Sequence, residues 1–324
     1  MKMISKPFPI FCATVFAVIW ILGPFLSIGF SLWILFFSDF WPAGLLYLAW
    51  FWLDFEIEKR GARPKKLITE NEFFKGFASY FPVNLVKTCK LPTNRKYIFG
   101  CHPHDLLSIG VFTNFATNAT GFDKLFPGIR PFVMTLSSQF YFPIRRDLVA
   151  SFNVVDSTKK SLKYLLSKTS TACCIVIGGA EESLEPAYTL ILKNRKGFCK
   201  YALEFGADLV PVYNFGENEV YEKYETREDS WIRYWQMKMI DLIGFSAPIY
   251  RGVPIFGLYF LSIVPKAKPI TTVVGKAIRV TQCNNPSQEQ IDQLHSKYCE
   301  KLIELFEKHK KLHKIPKNVH LTIK

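Results

Sequence analysis

Two histidines and an aspartate lie within four positions of one another in the stretch CHPHDLLSIG, at His102, His104 and Asp105. Three kinds of site use such residues: a metal centre, a proton-transfer site, or a polar turn that carries no chemistry. Residues two apart in a strand share a face, so both imidazoles of an H-x-H pair can point the same way. This spacing leaves all three interpretations open.

A metal centre is the interpretation that the rest of the chain supports least. Binuclear metallohydrolases begin with H-x-H-x-D-H, whereas Asp105 comes one position early and the next histidine is His295. His309, His313 and His320 fall in a basic helix and tail, and the eight cysteines include no C-x-x-C pair. Because carboxylates would have to supply nearly all remaining ligands, we predict no metal. We expect the cysteines to be reduced, as in a cytosol-facing domain.

A proton-transfer site needs fewer residues than a metal centre. A neutral imidazole, with an ordinary pKa of about 6.5, accepts a proton from an alcohol and needs only one orienting partner. The run KYIFGC, 96–101, predicts a strand directly before the histidines. Sites in parallel α/β sheets gather beyond the carboxyl ends of strands. Since the sequence also has no G-x-S-x-G elbow, the pattern favours a general base over a serine nucleophile.

The elements that would position this site follow from short β-rich runs that alternate with helix-like stretches beyond about residue 66. They predict an α/β domain with a mixed, partly parallel sheet. The predicted strands are 96–101, 173–178, 208–215 and 270–275, and the helical stretches between them are 161–168 and 197–207. Asn285 is the expected N-cap of a further helix. Apolar residues at helical spacing from Ile291 to Phe306, with lysines on other faces, indicate an amphipathic basic helix docked on the core.

The N-terminal region is apolar and aromatic. Pro7 to Ser38 are 32 residues without a formal charge, too many for one straight span of a hydrocarbon core about 30 Å thick. The run is also too long for the apolar region of a signal peptide. With the apolar stretch 40–53, it predicts a transmembrane hairpin of two helices, roughly 9–29 and 32–53, with a break at Gly23-Pro24.

Basic residues flank the predicted hairpin on both sides, which places both flanks in the cytosol. We therefore predict two domains, the transmembrane hairpin with its flanks at 1–58 and a cytosol-facing α/β domain at 59–324. The later apolar segment 244–265 contains Arg251 and three prolines, so it predicts a core-lining or membrane-dipping segment rather than a span.

The composition bears on partners. A formal net charge of +14 suits nucleic acid, anionic lipid head groups or a phosphate-bearing small substrate. Apolar residues make up 49% of the chain and aromatic residues 16%, which is typical of a protein at a membrane interface. We therefore expect a bilayer as partner and no nucleic acid.

Seven stretches of the chain carry a family resemblance. They are YFP at 80–82, CHPHDLLSIG at 101–110, TGFDKLFPGI at 120–129, VIGGAEESL at 176–184, LKNRKGFCKYAL at 192–203, ADLVPVYNFGENEVY at 207–221 and KPITTVVGKAI at 268–278. In this order they resemble the type-2 diacylglycerol acyltransferase family, which also contains monoacylglycerol and wax-alcohol acyltransferases. The resemblance covers nearly the whole chain, including the N-terminal hairpin.

The resemblance implies a multi-pass membrane enzyme of the endoplasmic reticulum with its acyltransferase domain facing the cytosol. Such an enzyme moves a fatty acyl group from acyl-CoA, a co-substrate, to a lipid hydroxyl and needs no other cofactor. Its partners would be acyl-CoA, a lipid alcohol acceptor, the bilayer and the lipid-droplet surface. A homo-oligomer is left open.

The family's motifs also imply site residues. H-P-H-G falls on 102–105, where we expect His104 to be the base and His102 to orient it or line the acyl pocket. Glu182 is expected to orient the imidazole or shape the site. The remaining motif positions, expected to bind substrate or to surround it, are Asp105, Gly178, Gly179, Arg195, Gly197, Phe198, Phe215, Gly216 and Glu217. Arg195 and Lys193 are candidates for contacts with coenzyme A phosphates.

Asp105 stands where the family has glycine. Aspartate tolerates the left-handed backbone region, so the turn can survive, and a carboxylate here would either strengthen the imidazole as a base or repel acyl-CoA phosphates. Further departures at 60–63 and 250–267 bear on acceptor choice. Three alternatives stay open: esterification of mono- or diacylglycerol, wax ester synthesis from long-chain alcohols, and a catalytically impaired lipid-binding paralogue.

Overall fold

A seven-stranded mixed sheet lies at the centre of the protein. The computed structural model describes residues 7–224, 226–243, 248–254 and 262–324. Numbered in chain order, the strands of this sheet are β1 (Asn84–Lys87), β2 (Tyr97–His102), β3 (Arg130–Thr135), β4 (Val154–Asp156), β5 (Thr171–Val176), β7 (Asp208–Phe215) and β10 (Thr271–Val274). Their spatial order is β1-β10-β7-β2-β5-β3-β4. The last five run parallel, whereas β10 is antiparallel to β7 and parallel to β1. The predicted mixed, partly parallel sheet is confirmed.

Two small sheets flank the large one. One pairs β6 (Thr189–Leu190) with β11 (Thr322–Ile323) in parallel, and the other pairs β8 (Glu222–Tyr224) with β9 (Ile249–Arg251) antiparallel. β9 is a described part of the segment 244–265, for which a core-lining or membrane-dipping course was predicted. Residues 244–247 and 255–261 of that segment lie outside the described residues.

Helices cover both faces of the large sheet. In chain order they are α1 (Pro7–Phe37), α2 (Trp41–Leu53), α3 (Lys66–Thr69), α4 (Glu72–Tyr80), α5 (Ile109–Val111), α6 (Phe122–Leu125), α7 (Arg145–Ala150), α8 (Lys159–Leu166), α9 (Gly179–Glu182), α10 (Gly197–Phe205), α11 (Trp231–Ile243) and α12 (Gln288–Lys310). One buried cluster joins α1, α4 and α5 to the sheet, and a second joins α8, α10 and α12 to it. The α/β prediction is therefore confirmed, with the core divided between the two faces.

The four predicted strands and the predicted helices at 161–168 and 197–207 lie within two residues of the observed ones. The start of α12 differs: its N-cap is Ser287, not Asn285. The Ser287 hydroxyl accepts the Gln290 N–H at 3.2 Å, and the Gln290 side chain accepts the Ser287 N–H at 2.9 Å. This reciprocal pair is a capping box, which satisfies two backbone donors at the start of the helix.

The N-terminal hairpin differs from its prediction. α1 continues through Gly23 and Pro24, and the turn falls at 38–40 rather than near residue 30. α2 has 13 residues, whereas a helical span needs about 20. In the described part of the chain, α1 is the one helix long and apolar enough to cross a membrane. The multi-pass anchor expected from the sequence thus has a single spanning candidate, with α2 folded back beside Ile34 and Leu35.

Arg145 of α7 explains why Pro24 does not end α1. Proline has no N–H, so the carbonyl of Trp20, four residues earlier, loses its helical donor. Arg145 Nη2 donates to that carbonyl at 3.3 Å, and Nη1 donates to the carbonyl of Ile19 at 2.9 Å. The guanidinium also lies over the Trp20 ring, 5.2 Å from its centroid. A side chain from another element therefore supplies the hydrogen bond that proline removes.

The two halves of α1 have different surroundings. Cys12, Ala13 and Phe16 are buried in the same cluster as α4, and the Phe16 ring lies 4.3 Å from the ring of Phe77. Further along, Phe25 is 74% exposed. The first half of α1 thus packs as part of the α/β core, and the second half presents apolar side chains outwards.

Candidate active site

Three of the motifs meet at the carboxyl edge of the sheet. β2 ends at His102, β5 ends at Val176 just before the Gly-Gly-x-x-Glu motif, and β7 ends at Phe215, inside the Phe-Gly-Glu motif. β2 pairs in parallel with both β5 and β7, so the three strand ends lie side by side. The structure therefore collects these motifs where parallel α/β sheets place their sites.

His102 is fully buried at the end of β2. Its Nε2 lies 3.0 Å from the hydroxyl of Tyr298 in α12, and that hydroxyl donates to the carbonyl of Gly100 at 3.1 Å. Because the hydroxyl hydrogen is used on Gly100, Nε2 carries a hydrogen and donates to Tyr298. Nδ1 is buried and finds no hydrogen-bond partner in the part of the chain that is described. Burial lowers the pKa of His102 to about 3, so the ring is neutral.

His104 lies one residue beyond the proline and is half-buried. Its backbone N–H donates to Glu182 Oε1 at 2.6 Å. Burial lowers the pKa of His104 to about 4, and the positive charge of Lys223 acts in the same direction. The imidazole is therefore neutral at pH 7, and its Nδ1, like that of His102, is buried and finds no hydrogen-bond partner among the described residues.

Glu182, expected to orient the imidazole or shape the site, holds the backbone of the histidine motif. One carboxylate oxygen accepts the N–H of His104 and the other accepts the N–H of Ile191 at 2.8 Å. Burial raises the pKa of Glu182 to about 7, against the opposite effect of these two donors. A Cβ on Gly178 would lie 2.1 Å from this carboxylate, so glycine leaves it the necessary room. Gly179, the first residue of α9, has open space beside it.

Glu217 holds the segment that follows the histidines. Its two oxygens accept the backbone N–H groups of Ile109 and Gly110, the latter at 2.8 Å. Burial, and secondly the nearby Asp105 carboxylate, raise the pKa of Glu217 to about 8. The role expected for Glu217 was substrate binding, whereas its described contacts anchor the start of α5.

The other members of the Phe-Gly-Glu motif act through packing. Gly216 has a φ of +87°, and a Cβ there would lie 2.1 Å from the carbonyl oxygen of Pro269, so both the backbone and the space require glycine. Phe215 is buried, with its ring 4.2 Å from His313 and 5.8 Å from Phe306. These contacts place Phe215 in the core, which differs from the expected substrate-binding role.

The Arg-x-Gly-Phe motif divides between surface and core. Arg195 is half-exposed and pairs with Glu181 at 3.0 Å, and Lys193 is also exposed. Phe198, in α10, is buried with its ring 4.8 Å from that of Tyr298. The structure therefore keeps Arg195 at the rim, where its charge opposes the rise of the Glu182 pKa, and Phe198 reaches the histidines through its packing on Tyr298.

Asp105 is buried to 1% exposure, and the Nζ of Lys223 lies 3.6 Å from one of its oxygens. Burial raises the pKa of Asp105, and Lys223 opposes that shift. Lys223 also lines a cavity of about 180 Å³ between the end of α9, β8 and α11. The structure thus places the aspartate that replaces the family's glycine beside a cation and a cavity.

Three residues of this region were missed by sequence reasoning. Tyr298 was assigned only to the apolar face of the last helix, and Lys223 and Asn214 were not singled out. Asn214 Nδ2 donates to the carbonyl of His102 at 3.1 Å, and its Oδ1 accepts from Thr272 at 2.6 Å. A buried aspartate signals that some cation must lie near it, but no spacing in the sequence identifies that cation.

The arrangement suits proton transfer. A neutral imidazole follows β2, the Glu182 carboxylate holds its backbone N–H, and the Glu217 carboxylate holds the backbone of the segment after it. Within the described ranges, no three histidine, cysteine, aspartate or glutamate side chains converge as the ligands of a metal ion do.

Comparison with known proteins identifies the family. The model of a family described as diacylglycerol acyltransferase matches residues 33–324. The chain is 42% identical over 313 residues to Diacylglycerol O-acyltransferase 2 of Homo sapiens, covering 94% of this chain and 80% of that protein. It is 38% identical over 306 residues to 2-acylglycerol O-acyltransferase 3 of Homo sapiens (93% and 89% covered) and 40% identical over 309 residues to 2-acylglycerol O-acyltransferase 1 of Homo sapiens (94% and 91% covered). The chain therefore belongs to the diacylglycerol acyltransferase family, as its motifs predicted, and is an acylglycerol acyltransferase.

Proposed function

We propose that this enzyme esterifies a hydroxyl of mono- or diacylglycerol with the acyl group of acyl-CoA, and that His104 is the general base. Accessibility is the observation that carries this choice. His102 is fully buried and bonded to Tyr298, whereas His104 as a whole residue is half-buried, with its Nδ1 buried and without a hydrogen-bond partner among the described residues. The names of the relatives specify diacylglycerol or 2-acylglycerol and so support the acceptor class.

In the proposed reaction, the imidazole of His104 accepts the hydroxyl proton as the acceptor oxygen attacks the thioester carbonyl. The new C–O bond forms and the C–S bond breaks. The departing thiolate of coenzyme A takes the proton from the imidazolium and leaves as a thiol. A pKa lowered to about 4 keeps His104 unprotonated, and so ready to act, throughout the neutral range. Glu182 serves as a positioning residue, since its carboxylate holds the His104 backbone.

The proposal includes the surroundings of the reaction. The enzyme works at the endoplasmic reticulum membrane and the lipid-droplet surface, with 1–58 as anchor and 59–324 as the cytosol-facing catalytic domain. Arg195 and Lys193, both exposed, meet the phosphates of coenzyme A at the rim of the site.

The substitution His104→Ala tests the base. We expect transfer to fall by about 10²- to 10⁴-fold, because a positioned base contributes that much to the rate. The measurement is incorporation of labelled acyl-CoA into di- and triacylglycerol by microsomes that contain the protein.

His320→Ala is the control, since His320 is an exposed histidine paired with Glu307 far along the chain, and it should keep full activity. The membrane-bound fraction and the unfolding temperature should match the parent protein in both variants. Full transfer by His104→Ala, with loss in His102→Ala, would reverse the assignment of the two histidines.

A further inference from the structure

Asp105 differs from the other two buried carboxylates of the site in its hydrogen bonding. Glu182 and Glu217 each accept two backbone N–H groups. Neither oxygen of Asp105 accepts a hydrogen bond of normal geometry from any residue that the structure describes, although the Leu106 N–H and the Lys223 ammonium are near enough to oppose the rise of its pKa. Its cation, Lys223, lies 3.6 Å away, which is beyond an ordinary hydrogen bond. Because buried carboxylates nearly always have donors, Asp105 has acceptor capacity that the protein leaves unused.

This unused capacity lies next to Lys223. The Lys223 ammonium group lies 3.6 Å from Asp105, and its charge also acts on the pKa values of His104 and Glu182. The Lys223 side chain also lines the cavity of about 180 Å³. His104 and Asp105 are consecutive, with Cα atoms about 3.8 Å apart. A molecule that enters this cavity therefore meets Lys223, and the buried Asp105, with His104 next to it in the chain, lies on the far side of that lysine.

We propose that the Asp105 carboxylate binds the second hydroxyl of a monoacylglycerol and so makes monoacylglycerol the preferred acceptor over diacylglycerol. This inference rests on the proposed function. A monoacylglycerol has two hydroxyl groups. In a 2-monoacylglycerol they are separated by three carbons, so one can donate its proton to His104 while the other donates a hydrogen bond to Asp105. Lys223 favours the ionised carboxylate, which is a strong acceptor.

Diacylglycerol lacks the group that Asp105 needs. It has one hydroxyl, which must go to the base, and in place of the second it presents an ester with no hydrogen to donate. Binding diacylglycerol would leave the buried carboxylate without a donor and exclude water from it. Sites built to bind a substrate hydroxyl discriminate strongly against analogues that lack it, for this reason.

The experiment compares kcat/KM for 2-monooleoylglycerol and 1,2-dioleoylglycerol in mixed micelles, with the full chain and labelled oleoyl-CoA. We expect the parent enzyme to prefer monooleoylglycerol, and Asp105→Gly to reduce that preference by about tenfold or more. The rate with dioleoylglycerol should stay the same or rise. Asp123→Gly removes an exposed aspartate on α6 and should leave the preference unchanged.

A second measurement begins with the parent enzyme alone, so its first result does not depend on how the variant folds. Methylation of one hydroxyl of 2-monooleoylglycerol removes its hydrogen, so the parent enzyme should use the methylated compound about as slowly as dioleoylglycerol. In Asp105→Gly this penalty should disappear, whereas a purely steric penalty would persist.

The possible failures are distinguishable. Transfer to both acceptors with an unchanged preference in Asp105→Gly, or equal use of the free and methylated compounds by the parent enzyme, overturns the role of Asp105 and leaves the proposed function intact. Transfer to neither acceptor by the parent enzyme contradicts the proposed function itself.

Discussion

At the scale of single residues, burial separates the two histidines of the signature. His102 is fully enclosed and its Nε2 is committed to Tyr298, so it is suited to holding structure beside the reaction. His104 is half-buried and follows on the same turn. Both rings are neutral because burial lowers the pKa of each, so accessibility and not basicity decides which one meets substrate.

Tyr298→Phe tests whether the orientation of His102 matters for the rate. The ring and its packing on Phe198 remain, but the hydroxyl that bonds His102 and Gly100 is lost. We expect kcat to fall about tenfold or more with KM unchanged, because small misplacements near a reacting group are costly. Steady-state acyl transfer measures both constants.

Tyr201→Phe is the control for this change. Tyr201 also packs against the core cluster that contains Tyr298, but its ring stacks on Phe205 instead of lying beside His102. It should leave both constants unchanged. An unaltered kcat in Tyr298→Phe would mean that the bond to His102 has no part in catalysis.

At the scale of elements, α1 shows how a helix continues through a proline. The carbonyl that Pro24 deprives of its donor receives one from Arg145, and the same guanidinium bonds Gln139 at 2.7 Å. Arg145 is only 3% exposed, and its guanidinium donates to oxygens of α1 and of Gln139. The contact joins α1 to α7 and thereby to the α/β domain.

A double-mutant cycle tests this contact. Arg145→Met should lower the free energy of unfolding by about 1–3 kcal/mol, the cost of leaving a buried polar group unpaired. In a Pro24→Ala background, residue 24 has an N–H for the Trp20 carbonyl, so the same substitution should cost less. Thermal unfolding in detergent measures the difference.

Arg130→Met, at an exposed arginine of β3, controls for the loss of a charge and should have little effect in either background. An equal loss for Arg145→Met with and without Pro24 would show that the guanidinium does not compensate for proline.

At the scale of the whole molecule, α1 belongs to both the anchor and the catalytic core. The enzyme is membrane-associated through this apolar helix. Its first half fills the core cluster that also holds Phe77 and Phe112, while its second half exposes Phe25 and its neighbours. Removing the helix would therefore uncover apolar core surface as well as release the chain from lipid.

Two phenylalanines of α1 allow a matched test. Phe16 is 4% exposed and Phe25 is 74% exposed. Phe16→Ala should lower the free energy of unfolding by about 3–5 kcal/mol, as expected for a buried aromatic residue. Phe25→Ala should change it little in detergent, and both variants should stay in the membrane fraction. Equal effects on thermal unfolding would contradict the assignment of the first half of α1 to the core.

The amino-acid sequence was sufficient for the family, the mixed α/β sheet, the positions of four of its strands and the location of the two histidines at the end of β2. These properties depend on local patterns: the alternation of strand and helix, the periodicity of apolar residues, and motifs whose members are close in the chain. The start of α12 and the turn after α1 were misplaced because caps and helix ends depend on which donors and acceptors are nearby in space.

The roles within the site depended on tertiary packing. Tyr298 meets His102 across 196 positions of sequence, and Arg145 meets Trp20 across 125. Lys223 meets Asp105 only because β8 and the turn after β2 lie together. No local pattern encodes such pairs, since a hydrogen bond or ion pair depends on the distance between atoms in the folded chain. For the same reason, only burial in the fold distinguishes two histidines that look equivalent in HPHD.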